Sequence, residues 1–136
     1  MPIPGYSGTP LLKKLGIKPE MKIKLIHAPE AYYEWLEADI SNQLAARSQM
    51  PDFIHLFSDS KNHYETEMTK LRPLIASNPQ ILIWVSWHKK SSGIPTDLTE
   101  DHIRKFALGN GLVDIKVCAV SAEWSGLKLV VPLAAR

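Results

Sequence analysis

The run QILIWVSW, residues 80–87, constrains the fold more than any other stretch of the chain. It is the length of a strand, far short of the roughly 20 apolar residues a membrane helix needs. Ile81, Ile83 and Val85 are β-branched, and Asn78-Pro79 supplies a turn before the run. Apolar residues on both faces predict a strand buried on both sides. Such a strand needs helices above and below it, and the remaining sequence has to supply them.

DFIHLF contains a second strand, Phe53 to Phe57, also apolar on both faces. MKIKLIHAP alternates at Met21, Ile23 and Leu25 and stays apolar through Ile26, a strand that Pro29 should end. Helices are expected between and around these strands. TPLLKKLG reads as a short one, with Thr9 as N-cap, Pro10 at the first helical position and Gly16 as its stop. PEAYYEWLEADI places Tyr32, Trp35, Leu36 and Asp39 at helical spacing. Tyr64, Met68, Leu71 and Ile75 form one apolar stripe, and Pro73 should kink that helix or end its regular part. A last helix is expected from Glu100 to Leu108, with Thr99 as N-cap, Leu98 and Ile103 as hydrophobic staple, and Gly109 or Gly111 as stop. Asp97 with Glu100 offers an alternative capping box one turn earlier. Leu44 to Ala46 is an ambiguous edge strand. LVDIKVCAV and GLKLVVP are joined by SAEWSG, short enough for a hairpin.

Alternating strands and helices imply a parallel sheet with helices on both faces. The expected fold is therefore α/β: a small three-layer Rossmann-like sheet, mostly parallel, with an antiparallel C-terminal hairpin adding a strand at one side. The 136 residues suit a single domain, residues 1–136, with residues 1–9 (MPIPGYSGT) an irregular arm.

The composition excludes several activities. A net charge of +2 is far below the electrostatic footprint of a nucleic-acid binder. The lysines of KKLGIKPEMKIK are followed by an acidic helix and read as a solvated face. The single cysteine, Cys118, sits in an apolar run and reads as a buried free thiol without a disulfide. No signal peptide and no membrane span is expected, so the expected location is cytoplasmic. No metal-ligand spacing, nucleophile elbow or Walker loop occurs, so no metal, no cofactor and no catalytic residue is assigned.

The chemistry that remains lies at the strand ends. A doubly wound sheet binds ligands at the carboxyl ends of its strands. There the first strand ends in His27, the next in Ser58-Asp59-Ser60, and the buried one in His88-Lys89-Lys90. If the sheet is parallel these tips converge. His27 and Asp59, with Lys89, Lys90, Ser91, Ser92 and Gly93, are the candidate ligand contacts, and an anionic small molecule is the candidate ligand. Asp59 or Ser60 also has the form of a helix N-cap, His55 reads as a core residue, and His63 and His102 read as exposed helix positions. Trp87 and Trp124 read as core residues rather than binding surface.

Two resemblances bear on these expectations. LGIKPEMKIKLIHAP resembles the opening of a class I methyltransferase domain, in which a glycine-rich loop after the first strand holds S-adenosylmethionine. Here HAPEAYYEW follows without a glycine, so the architecture is expected without the usual cofactor mode. GYSGTPLLKKLGIKP, DFIHLF, WVSWHKKSSGIPTDLTED, GLVDIKVCAV and WSGLKLV together resemble a family of short bacterial proteins of unknown function. That resemblance implies a Rossmann-like cytoplasmic protein. It also implies proline as the usual residue before the paired lysines, which makes His88 a poor candidate for an essential catalytic group.

The favoured expectation is a non-catalytic binding or regulatory module. The alternatives are a divergent, methyltransferase-like enzyme that binds an anionic small molecule at the strand ends, in which His27 or His88 would be the general base, and a protein-interaction domain using the N-terminal arm anchored by Tyr6.

Overall fold

A computed structural model describes residues 10–136. The expected arm, with Thr9 and Tyr6, lies outside the described residues. The elements are α1 (Leu11–Leu15), β1 (Ile23–Ile26), α2 (Tyr32–Leu36), β2 (Phe53–Phe57), α3 (Lys61–Ser77), β3 (Leu82–His88), α4 (Glu100–Gly109), β4 (Val113–Ala119) and β5 (Trp124–Val130). The sheet order is β1-β2-β3-β5-β4. β1, β2 and β3 pair in parallel, with Ile26 beside Leu56 and Phe57 beside Ser86. β5 runs antiparallel to both β3 and β4, so β4 points the same way as β1 to β3.

Both faces of the sheet are covered, giving three layers. Phe53, Phe57 and Trp84 pack with Leu15, Tyr32 and Leu36 of α1 and α2. Ile54, Leu56, Ile83 and Val85 pack on Tyr64, Met68, Ile103 and Ala107 of α3 and α4. The two-residue period of β2 and β3 thus divides one apolar run between two cores.

The hairpin forms, but its final strand is interior and β4 is the edge. Composition explains the order. β5 buries Leu127, Leu129 and Val130, whereas β4 carries Asp114 and Lys116 and leaves Ile115 and Val117 exposed. A register shift between Asp114 and Lys116 irregularly spaces that edge, and charge plus irregularity suit a strand with one unpaired side.

The helices differ from expectation mainly in length. Gly16 ends α1 in the left-handed region at φ 79, while Pro10 takes the N-cap position. α2 has only five residues before Glu37 turns left-handed at φ 54. α3 continues past Pro73 to Ser77, because proline removes one backbone donor in the last turn and Leu74 O still accepts from Asn78 N. Thr99 caps α4 by accepting from His102 N at 3.2 Å, and buried Leu98 and Ile103 both lie in the α3–α4 core. Asp97 does not cap α4. Its Oδ1 accepts from Lys61 N, at the start of α3.

The ambiguous segment near Leu44 reduces to one parallel bridge, Leu44 to Ile23, after a short 3-10 turn at Ser41–Gln43. β1 pairs β2 on its other side, so Leu44 lies outside β1. The chain therefore leaves β1 outward over the α1–α2 face, and leaves β2 toward β3 over the α3 face. The sheet's direction of winding reverses between β1 and β2.

Candidate functional site

A reversal of this kind opens a crevice, because the loops after the two strands depart to opposite sides. A cleft of about 370 Å³ lies there, lined by His27, Phe57, Ser58, Asp59, Ser60, His63 and Trp124. Each residue is placed by an element end. β1 delivers His27, β2 delivers Phe57 to Asp59, the first turn of α3 delivers His63, and β5 begins at Trp124 because it runs the other way.

His27 ends β1 earlier than Pro29 does, by entering the left-handed region at φ 56 with its side chain exposed. For a non-glycine residue that conformation costs roughly 1–2 kcal/mol. Its ring packs edge-on against His63, 4.7 Å between centroids and 76° between planes. Ser60 is the N-cap of α3, accepting from His63 N at 3.2 Å. Asp59 is free for another role. Its Oδ2 accepts from His88 Nδ1 at 2.7 Å, and its Oδ1 accepts from His88 N at 3.3 Å. The His88 ring lies on Trp124 with centroids 3.7 Å apart, and Trp124 meets Phe57 edge-on at 4.9 Å.

The loop after β3 is tied to the backbone carbonyl of Asp59. Thr96 Oγ1 donates to Asp59 O at 2.8 Å, and Asp97 N donates to the same oxygen at 3.2 Å. The anion loop expected at residues 89–93 is a 3-10 turn at Lys90–Ser92 closed by Gly93 at φ 75. Two of its donors are engaged within it: Ser92 Oγ donates to Lys89 O at 2.7 Å and Gly93 N donates to Lys90 O at 3.2 Å. Ser91 and Lys90 are exposed. Lys90 lines a separate cavity of about 470 Å³ with His88, Glu100 and Asp101. Cys118, expected to be buried, is half-buried, and burial pushes its thiol up against the opposing effect of Lys14, Lys116 and the half-buried Lys89. The structure thus brings His27 and Asp59 into one cleft and places residues 89–93 beside it.

His63 is the site residue that sequence reading misses. Helix position alone suggests exposure. The available signal was that it stands three residues after a serine N-cap, where the first helical turn faces the strand ends. Trp124 is likewise at the cleft, whereas Trp87 is buried in the α3–α4 core.

One layer deeper, His55 is fully buried, with Nδ1 2.9 Å from the Tyr32 hydroxyl and Nε2 2.7 Å from Ser86 Oγ. Burial pushes its imidazole down to about 3 and pushes the Tyr32 phenol up. Among the described residues, no cluster of three or more His, Cys, Asp or Glu side chains could hold a metal ion. No described helix is long and apolar enough to cross a membrane.

No protein-family model matches the sequence, and no curated protein does. Solved structures share the fold. A protein in the NADB-Rossmann superfamily from Streptococcus agalactiae matches with a TM-score of 0.52 at 12% identity, over 90% of this chain and 68% of that one. A LepI variant in complex with SAH and a substrate analogue matches with a TM-score of 0.53 at 10% identity. LepI in complex with SAM matches with a TM-score of 0.50, also at 10% identity. This chain spans 39% of the LepI length in each case. At these identities the likeness is one of fold: a small Rossmann-like, methyltransferase-like domain.

Proposed function

We propose that the domain is a divergent small-molecule enzyme of the methyltransferase-like Rossmann type, with its ligand seated in the crevice between the ends of β1 and β2. The observation that carries this reading is the Asp59–His88 pair. A carboxylate that takes the Nδ1 proton fixes the tautomer of the imidazole, which leaves Nε2 as a base. His88 Nε2 has no hydrogen-bond partner among the described residues. The strained backbone at His27 and the hydrogen bonds from Thr96 and Asp97 onto Asp59 O belong to the same edge. Where the ligand carries an anionic group, Lys89, Lys90 and Ser91 are its contacts on the adjoining rim, and the closed turn at Ser92 and Gly93 shapes that rim. If proline is usual at position 88 in similar proteins, the pair is a device of this chain.

LepI is matched in complexes with SAM and SAH, so these lead the ligands to be tried. NAD and nucleotides follow, because the Streptococcus agalactiae structure matched is a protein in the NADB-Rossmann superfamily. Calorimetry and thermal-shift measurements on the full chain are expected to give a response to at least one of these at millimolar concentration. Asp59→Asn should weaken it by about tenfold or more, equivalent to about 1.4 kcal/mol. Silence across the whole panel overturns the enzyme reading. A second reading, a non-catalytic binding module, is favoured by the glycine-free turn and the five-residue α2. Binding that survives both Asp59→Asn and His88→Ala would select it.

A further inference from the structure

His63 has an unusual hydrogen-bond balance. Its Nδ1 is 2.7 Å from Ser58 Oγ, while its Nε2 is buried without a partner, the only such side-chain atom among the described residues. The contacts of the Ser58 hydroxyl are the basis for assigning the proton of His63. This hydroxyl has one hydrogen to give and two lone pairs with which to accept. It donates to Ser60 O at 3.2 Å and accepts from Ser60 N at 3.3 Å. All three contacts are satisfied together only if the third is also accepted, from His63 Nδ1–H. His63 Nε2 is then a bare lone pair, a buried acceptor in want of a donor.

The charged group of the cleft has the same sense. Asp59 is a carboxylate, acceptor-only when ionised, and lies in the same lining. No lysine or arginine is among the residues lining the cleft. Phe57, Trp124 and His27 contribute rings. Acceptors, one negative charge and aromatic faces suit an organic cation rich in N–H groups, through hydrogen bonds and cation–π attraction.

We propose that this cleft takes the amino, amidinium or guanidinium end of the ligand, with His63 Nε2 and the Asp59 carboxylate as its hydrogen-bond acceptors. The inference rests on the ligand site assigned above and specifies the chemistry of one end of it. Any anionic group of the same molecule belongs on the lysine rim, outside this cleft. A buried acceptor left unpaired destabilises the free protein, and a ligand that donates to it recovers that loss. His27 is the ring packed on His63, so a ligand reaching Nε2 moves it.

The test is nitrogen-15 NMR of the histidine side chains in the full chain, with benzamidinium as probe and benzoate as its anionic counterpart of the same shape. Before any probe is added, the proton of His63 is expected on Nδ1; a proton on Nε2 overturns the inference without any variant being made. Millimolar benzamidinium is expected to move the His63 Nε2 resonance, and benzoate to leave it in place. His63→Ala, or His63→Phe if the alanine variant fails to fold, should weaken benzamidinium binding by about tenfold. A response to benzoate that equals or exceeds that to benzamidinium, or benzamidinium binding that leaves His63 unmoved, overturns it. So does no benzamidinium binding at all. These readouts are separate from the cofactor panel. A silent panel with a benzamidinium-responsive His63 defeats the enzyme reading alone, and a positive panel with an unresponsive His63 defeats this inference alone.

Discussion

Two histidine clusters lie on either side of Phe57, and they differ in what their polar atoms have found. On the inner side His55 stacks on Phe57 with centroids 4.3 Å apart, and both of its nitrogens are bonded, to Tyr32 and to Ser86. On the outer side Trp124, Asp59 and His63 line the cleft, where His63 Nε2 lacks a partner, and His88, bonded to Asp59, turns to the neighbouring cavity with its Nε2 also without a partner among the described residues. Residue types are nearly the same in the two places. A closed polar network in a dry core stabilises one packing arrangement. A polar group left open at the switch point of the sheet is a cost that binding can repay. Completeness of hydrogen bonding, more than the presence of histidine, distinguishes the core cluster from the proposed site.

The largest test of that contrast is His55→Ala. It removes a fully buried ring and strands two hydroxyls, so chemical denaturation should show a loss of about 4 kcal/mol. His63→Ala should cost less, about 1 kcal/mol, because the lost bond from Nδ1 to Ser58 Oγ is partly offset by removal of the unpartnered Nε2. Equal losses at the two positions would erase the distinction.

Acid should separate the clusters too. His55 binds its proton more weakly folded than unfolded, so between the two values the unfolded chain holds more protons and stability rises with pH. The contribution is complete above about pH 6.5 and is lost as pH falls toward about 3. Denaturation midpoints measured across that window should fall steeply for the wild type and less steeply for His55→Leu. A wild-type slope that survives the substitution would place acid sensitivity elsewhere.

Packing between the clusters is close at Gly126, where an added Cβ would lie 3.0 Å from Val120 Cγ2 and 3.1 Å from Trp84 Cε3. Gly126→Ala should cost about 1–3 kcal/mol, and a neutral result in thermal unfolding would mean that β5 has room to shift. A small effect is expected in the loop beside the site. Thr99→Ala should cost about 1 kcal/mol by loss of the α4 cap, with unchanged ligand response.

Much of the fold was legible in the sequence. The strand Phe53–Phe57, the cap at Thr99 and the stop at Gly16 each follow from one local rule. The length of α2 did not, because Tyr32 and Leu36 fit both a long helix and a single turn docked into a core. The convergence of His27, Asp59 and His88 was also legible, as a consequence of parallel strands. What residues 88–93 do was not. Their donors looked alike in sequence, yet His88 pairs with Asp59, Ser92 and Gly93 close a turn, and Lys90 opens onto a second cavity.

The sequence by itself determined the alternation of strands and helices, the two-faced burial of β2 and β3, and hence the edge at which this fold class places ligands. These depend on residue periods of 2 and 3.6 and on caps, which act within a few positions. Only the tertiary structure decided that β5 lies inside β4, that winding reverses between β1 and β2, and that His63 meets Ser58 while His55 meets Ser86. Those outcomes depend on which partner satisfies each polar atom, and in the core pair that partner stands 31 residues away.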